Sequence, residues 1–318
     1  MRLLMTGFAG FVSQHFMNYL EQNTEGVEVC GIDINIPVFQ FSHYKKINVK
    51  FYAVNLLDSD ALKVILEIFR PEYILHLASF SSVAYSWKYP VECFNNNTNI
   101  FLNIVDAIQR MGLECRILSV GSSEEYGDVI EQDIPLVENR KLSPCSPYAV
   151  ARVSQELLSR VYVNSYGLDI IMTRSFNHIG PMQDMRFVIP SFIAKILEIK
   201  KQGMKTGTIE TGDLSIIRDF VDVRDVVKAY YSLLIHGKSG ELYNVCSGKG
   251  IVLRDIVEKI GKIVDVKVNT VTNQDYVRLH DNHIIVGSYK KIQTDIGWQP
   301  AIPIKNTLED MVIYYEQL

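Results

Sequence analysis

Short apolar runs alternate along the first half of the chain with longer stretches in which apolar side chains recur every third or fourth position. These two periods separate buried strands from amphipathic helices. Leu3 to Thr6 reads as a buried strand, and the helix after it carries Phe11, Val12, His15, Phe16, Tyr19 and Leu20 at helical spacing. Val27 to Ile32 is a second strand and Phe51 to Val54 a third; Tyr73 to Leu77, entered through Pro71, is a fourth. Ile100, Phe101, Ile104, Val105 and Ile108 share one face of a helix that reaches Met111, and Arg116 to Val120 follows as a fifth strand. A long helix from about Ala149 to Tyr166 stops at Gly167, and Leu168 to Thr173 is a sixth strand. Repeated strand–helix units predict an α/β fold, a Rossmann-type doubly wound parallel sheet with helices on both faces.

After Phe176 the rhythm changes. Loop signals gather at Gly180-Pro181 and from Gly203 to Gly212, a helix runs from Val223 to His236, and the remainder mixes short strands with helices. The expectation is a dinucleotide-binding domain of residues 1–176 plus about 217–237, and a smaller mixed α/β substrate-binding domain of about 177–216 and 238–318. There are no internal repeats and no low-complexity stretch.

Composition narrows the class of partner. With 47% apolar and 21% charged residues the chain can bury a full core, and 318 residues suit two domains. The net charge of -4 gives no general attraction to nucleic acid or to an anionic membrane, so any phosphate site must be local. The five cysteines (Cys30, Cys93, Cys115, Cys145 and Cys246) are scattered without a CxxC pair, and the seven histidines show no metal spacing. A reducing, cytoplasmic setting is therefore expected, with no disulfide framework and no metal. No secretory leader or membrane span is expected either.

The first turn reads Thr6-Gly7-Phe8-Ala9-Gly10-Phe11-Val12-Ser13. Gly7 allows a tight turn after the strand, and Gly10 lets a helix N-terminus approach a pyrophosphate, where free N–H groups favour negative charge. Ser13 stands where a third glycine is usual, a position that serves helix–strand packing. Asp33, ending the second strand, can accept from the adenosine ribose hydroxyls and would repel a 2′-phosphate, which favours NAD(H) over NADP(H). Gly7, Phe8, Gly10, Phe11, Val12 and Asp33 are the core of the expected cofactor site. Asn55, Leu56, Leu57 and Asp58 would border the adenine, and Leu77, Ala78 and Ser79 would lie beneath the dinucleotide. Asp58 could equally cap the next helix.

The fifth strand leads into Gly121-Ser122-Ser123-Glu124-Glu125-Tyr126-Gly127, and Ser146-Pro147-Tyr148 opens the long helix with Arg152 four residues on. Polar groups at the carboxyl end of a parallel strand face the ligand crevice, and Tyr148 and Arg152 share a helical face. A tyrosine beside a cation is the arrangement that lets a phenol exchange its proton, and Ser122 could hydrogen-bond the reacting oxygen.

These residues resemble the extended short-chain dehydrogenase/reductases of the nucleotide-sugar epimerase/dehydratase group, along essentially the whole chain. The resemblance is carried by His76-Leu77-Ala78, Asn97, Ser122 before Tyr126-Gly127, Arg174-Ser175-Phe176-Asn177, Gly180-Pro181, Arg218-Asp219-Phe220, Tyr243-Asn244-Val245 and Gly297-Trp298 with Pro300. Ser122 to Gly127, Phe176 to Pro181 and Tyr243 to Gly248 are most similar to the reductases of GDP-4-keto-6-deoxy sugars. The resemblance implies a cytoplasmic, homodimeric oxidoreductase that uses NAD(P)H to reduce the C4 keto group of a GDP-linked deoxy sugar, giving a product such as GDP-rhamnose. It leaves a GDP-mannose-type 4,6-dehydratase and a 4-epimerase as alternatives. Tyr148 would protonate the C4 oxygen, Ser122 would place it, and Tyr148 and Arg152 would also touch the cofactor. Glu124 matches the glutamate that removes the C5 proton in dehydratases, with Ser123 at the position of the acid that assists loss of water. The family has lysine where this chain has Arg152; the guanidinium keeps a fixed charge but cannot relay a proton, and lysine would fit the family geometry there. On the substrate side the resemblance points to Arg218 and Arg278 for the diphosphate, Asp281 three residues on, Asn177, the serines Ser81 and Ser82 for sugar hydroxyls, and Arg186 and Lys195 for phosphate or base.

Overall fold

The computed structural model describes residues 1–277 and 282–318. The N-terminal half runs β1 (Arg2–Thr6), α1 (Phe11–Asn23), β2 (Val27–Asp33), β3 (Ile47–Ala53), α2 (Ser59–Phe69), β4 (Tyr73–His76), α3 (Val83–Lys88), α4 (Pro90–Met111), β5 (Arg116–Ser122), α5 (Pro147–Tyr166) and β6 (Asp169–Ser175). Then follow β7 (Asn177–Ile179), α6 (Val188–Lys201), β8 (Thr206–Thr211), β9 (Ile217–Asp222), α7 (Val223–His236), β10 (Leu242–Val245) and β11 (Gly250–Val252). The chain closes with α8 (Leu253–Val264), β12 (Lys267–Thr272), β13 (Ile284–Ile285), α9 (Lys290–Ile296) and α10 (Ile304–Glu316).

Seven parallel strands form the main sheet in the order β10-β6-β5-β4-β1-β2-β3. The order reverses direction between β1 and β4, which opens a crevice beyond their carboxyl ends where ligands of doubly wound sheets bind. One apolar core lies on the face covered by α1 and α7, with Phe8, Phe16, Leu118, Val226 and Tyr230 inside it. A second fills the other face under α2, α4 and α5, with Leu62, Phe101, Ile104 and Ile117. Pro at the start of α4 and α5, and left-handed Gly112 and Gly167 at their ends, set the limits of the two long helices.

The helix expected to centre on Ile100–Ile108 begins at Pro90, because its first turns present asparagines and Glu92 that hide the apolar period. The third strand starts at Ile47, where apolar and polar residues alternate on a half-covered sheet edge. The boundary region after Phe176 does not divide by sequence order. Strand β9, from the segment expected in the dinucleotide domain, pairs with β7, β11 and β13 in a separate small sheet. Strand β10, from the segment expected in the substrate domain, joins the main sheet beside β6. A third apolar cluster, with Ile193, Ile196, Phe220, Ile256, Ile260 and Met311, is the core of the C-terminal unit. Among the described residues no helix is long and apolar enough to cross a membrane.

Candidate active site

At the carboxyl end of β1 the chain turns through Gly7, whose φ is +68 and whose added Cβ would stand 2.8 Å from the Ala78 nitrogen. Only glycine accepts both the left-handed backbone and that approach. Thr6 fastens the two strands of the crevice, its Oγ1 accepting N–H bonds from Leu77 and Ala78 at 3.2 Å and bonding His76 Nδ1 at 2.8 Å. Gly10 is the N-cap of α1, with no side chain to bond the first-turn N–H groups and no acid in that turn. The amides of Phe11, Val12 and Ser13 are thus left for a phosphate, and the residues present fit a dinucleotide. Ser13 is fully buried and donates its hydroxyl to the Gly7 carbonyl at 2.8 Å, so it braces the turn where a third glycine would only have made room.

Asp33 ends β2 and accepts from the Ala9 amide at 2.9 Å and the Asn35 amide at 2.9 Å, which holds its carboxylate at the rim of the same turn. Two expected neighbours behave differently. The Phe8 side chain turns inward, fully buried against Phe39, Phe41 and Phe51, and its amide is bonded to the Ile32 carbonyl. An apolar ring of that size belongs in the core, so only its backbone faces the turn. Asp58 accepts from the Ala61 amide and caps α2, the second of its two expected roles. Leu57 is exposed, Leu56 is buried with its carbonyl bonded to Asn103, and Asn55 Oδ1 accepts from the Leu57 amide. Phe11 lies at the other side of the crevice, stacked on His178 at 5.9 Å.

Ser122 closes β5, and Arg152 of α5 bonds the carbonyl of Val120, two residues before it on the same strand. Ser146 caps α5 through the Ala149 amide, so Tyr148 starts the helix and points into the fold at 6% exposure. Arg152, one turn on, is 5% exposed and does not reach solvent. Its Nε donates to the Tyr148 hydroxyl at 3.2 Å, and its Nη1 donates to the Val120 carbonyl at 3.0 Å and to Gln155 Oε1 at 2.7 Å. A donated N–H and a permanent charge both stabilise the phenol oxygen when it becomes negative. Ser122 Oγ accepts from the Glu124 amide at 3.2 Å, Ser123 is buried, and Glu124 is half-buried.

Behind Ser122 lies a charged cluster that sequence reasoning missed. Glu125 is fully buried, and its Oε1 accepts the Ser122 amide at 2.7 Å. Arg174 on β6 grips Glu156 of α5 with two bonds of 2.9 and 3.0 Å, and stands 3.8 Å from Glu125 Oε2. Arg160 also donates to Glu156, at 3.2 and 3.1 Å, so both arginines hydrogen-bond Glu156 and neither hydrogen-bonds Glu125. Burial first, and the Glu156 charge second, push the Glu125 carboxyl well above its ordinary range. Burial would raise Glu156 as well, but Arg174 beside it holds it below that range. Of the two carboxyls, Glu125 is therefore the one whose surroundings favour the protonated form. Tyr126 completes the corner by donating to Asn244 Oδ1 at 2.7 Å. The sequence did carry one signal for such networks: Tyr148, Arg152, Gln155 and Ser159 recur on one helical face, a polar stripe on a helix that is otherwise apolar inward.

The substrate-side residues are less gathered. Arg218, on β9, is 6% exposed with Nη1 bonded to the Ile217 carbonyl, and Asn177 opens β7 one strand away. Ser81 is exposed, and Ser82 is used as the N-cap of α3. Arg186 is an exposed residue whose guanidinium is held by Asp184 in two bonds, and Lys195 donates to the Glu210 carbonyl beside the Tyr276 ring. Arg278 and Asp281 lie outside the described residues.

Known proteins resemble this chain along nearly its whole length. The family model described as GDP-mannose 4,6 dehydratase matches residues 4–311. The GDP-6-deoxy-D-mannose reductase of Pseudomonas aeruginosa is 31% identical over 315 residues, covering 99% of this chain and 97% of that protein. A UDP-glucuronate 4-epimerase from Thermodesulfobacterium geofontis is 28% identical, covering 97% and 94%. Among solved structures, RMD from Pseudomonas aeruginosa complexed with NADPH superposes with a TM-score of 0.85 at 31% identity, covering 99% of each chain.

Proposed function

The chain belongs to the GDP-mannose 4,6 dehydratase family, an NAD(P)-dependent group of nucleotide-sugar enzymes, and from that premise we propose that it is a nucleotide-sugar 4-reductase. Its substrate on this reading is a GDP-4-keto-6-deoxy sugar, and its product a GDP-6-deoxyhexose such as GDP-rhamnose. The observation that carries the reading is the buried Tyr148 hydroxyl accepting the Arg152 Nε–H at the mouth of the crevice that ends in Ser122. Full-length likeness to a GDP-6-deoxy-D-mannose reductase favours reduction over the other family reactions.

A reduced nicotinamide, when bound, supplies the hydride. Gly7, the first-turn amides of α1 and Asp33 would hold the dinucleotide. As the carbonyl carbon gains hydride, the carbonyl electron pair passes to the C4 oxygen, and the Tyr148 O–H proton goes to that oxygen. Ser122 hydrogen-bonds the same oxygen. Arg152 stabilises the phenolate that is left until it regains a proton from solvent. Arg218 and Asn177 face the substrate diphosphate from the small sheet. The placement of Asp33 supports NADH as the preferred reductant, because its carboxylate repels a 2′-phosphate. The exposed apolar residues Val91 and Phe94 of α4, and Val150, Leu157 and Val161 of α5, support a homodimer through these two helices.

The test supplies a GDP-4-keto-6-deoxy sugar and follows reduced-nicotinamide absorbance with NADH and with NADPH. Turnover is expected with both, faster with NADH, and Asp33→Ser is expected to move the preference toward NADPH by about tenfold. No loss of absorbance with either cofactor overturns the reductase reading. The second reading, a 4,6-dehydratase, rests on Glu124 beside Ser122; loss of water from GDP-mannose alone would select it. A sedimentation measurement decides the dimer.

A further inference from the structure

Arg152 is a buried guanidinium with no carboxylate partner among the described residues. The titratable groups that feel it are His76 at the end of β4, Cys93 on α4, Tyr230 on α7 and Tyr148 itself. None of the first three is charged at neutral pH. Burial, and then the Arg152 charge, depress the His76 imidazole to about 3, whereas burial raises the Cys93 thiol and the Tyr230 phenol. What balances Arg152 is an amide. Gln155 accepts from Nη1 at 2.7 Å, and its own Nε2 donates to Ser119 Oγ at 2.8 Å and to the Val120 carbonyl at 3.2 Å. Ser159 donates on to Ser119 Oγ at 3.2 Å. Both ends of the Gln155 amide are thereby fixed, which fixes the turn of the guanidinium plane and leaves Nε for Tyr148.

We infer that Gln155 is a positioning residue: it aims the Arg152 guanidinium at the Tyr148 hydroxyl and leaves the positive charge unneutralised, so that the site is built for arginine and an amide partner together. A glutamate at 155 would make the same bond to Nη1 but cancel the charge that Tyr148 uses. A lysine at 152 would bring one ammonium to a place where three acceptors in different directions are now served. This inference rests on the reading of Tyr148 as the proton donor.

The experiment compares Gln155→Glu, Gln155→Met and Arg152→Lys with the wild type in two measurements. The first is ultraviolet titration of the phenolate band in the free protein, with Tyr148→Phe subtracted to isolate that residue; it needs no substrate. The second is the pH profile of kcat/KM with the GDP-4-keto sugar. Unfolding midpoints and NADH binding followed by fluorescence show that each variant is folded. In Gln155→Glu the midpoint should change little, since the new ion pair with Arg152 is offset by the lost donor to the Val120 carbonyl. The Tyr148 phenolate band and the alkaline limb of the profile should nevertheless both move to higher pH, and kcat should fall at least tenfold with KM little altered. Gln155→Met keeps the volume and removes the acceptor, and should move both readouts in the same direction by less. Arg152→Lys should lower kcat rather than preserve it. A Gln155→Glu protein with wild-type phenolate titration and wild-type kcat overturns the inference. If the wild type reduces no GDP-4-keto sugar, the function reading fails, while the phenolate titration still decides the role of Gln155.

Discussion

Replacing Glu125 by glutamine tests the charge assignment behind Ser122. The folded wild type keeps a proton on Glu125 that the unfolded chain releases above the ordinary carboxyl range, because burial and the neighbouring Glu156 charge raise its pKa. The unfolded state is then favoured as pH rises through that window, at ~1.4 kcal/mol for each pH unit over which the folded group stays protonated. Glutamine retains an acceptor for the Ser122 amide and a donor toward Glu156, and it does not titrate. Across that window above the ordinary carboxyl range, the stability of the variant relative to wild type should therefore rise with pH. Glu156, whose pKa is held low by Arg174, changes charge only on the acid side and does not confuse this window. The assay is urea denaturation of both proteins at several pH values across it. Two parallel stability curves would refute the reasoning, since they would place an ionised Glu125 in the core. Glu125→Leu supplies the contrast: it leaves the Ser122 amide unpaired in a buried corner and should be about 1–3 kcal/mol less stable than Glu125→Gln at every pH.

His76 has the opposite sign. Its folded pKa of about 3 lies below the ordinary 6.5, so the stability it permits is complete above that value and is lost as pH falls toward 3. Over that interval the loss amounts to about 5 kcal/mol by linkage, and His76→Asn, which still offers Thr6 an acceptor, should flatten the acid side of the stability curve. An unchanged acid slope in urea denaturation would refute it. Gly7→Ala forces a left-handed alanine whose Cβ meets Ala78 and Leu77 backbone atoms at 2.8–3.0 Å, so NADH affinity by fluorescence titration should fall more than tenfold. Gly10→Ala, with ordinary φ and its nearest contact at 3.1 Å to the Gly7 carbonyl, should be much milder; equal effects would show that the tight turn is not what glycine supplies. Ser13→Ala removes the bond to the Gly7 carbonyl and should lower stability by ~1 kcal/mol in the same denaturation assay.

What the sequence determined by itself is what depends on near neighbours along the chain. Apolar period marks the strands and helices of the doubly wound sheet, since burial of one face repeats with the geometry of the element itself. Gly7 and Gly10 mark the turn because only the backbone there is at issue. Tyr148 and Arg152 meet because four residues make one helical turn, and Asp33 faces the crevice because it ends a strand of a parallel sheet. The tertiary structure decided what depends on which elements pack together. Phe8 stands inside the glycine motif, yet its ring goes to a core shared with Phe39, Phe41 and Phe51. Strand β9 pairs within the small sheet and β10 within the main sheet, because a strand joins whichever sheet edge offers hydrogen bonds. Glu125, Glu156 and Arg174 come from three separate elements, and it is their shared burial, with the Glu156 charge beside Glu125, that raises the Glu125 carboxyl above its ordinary range. The same holds for Arg152. Spacing places it near Tyr148, but the Val120 carbonyl and the Gln155–Ser119 amide bonds, made across the helix–strand contact, decide where the guanidinium points.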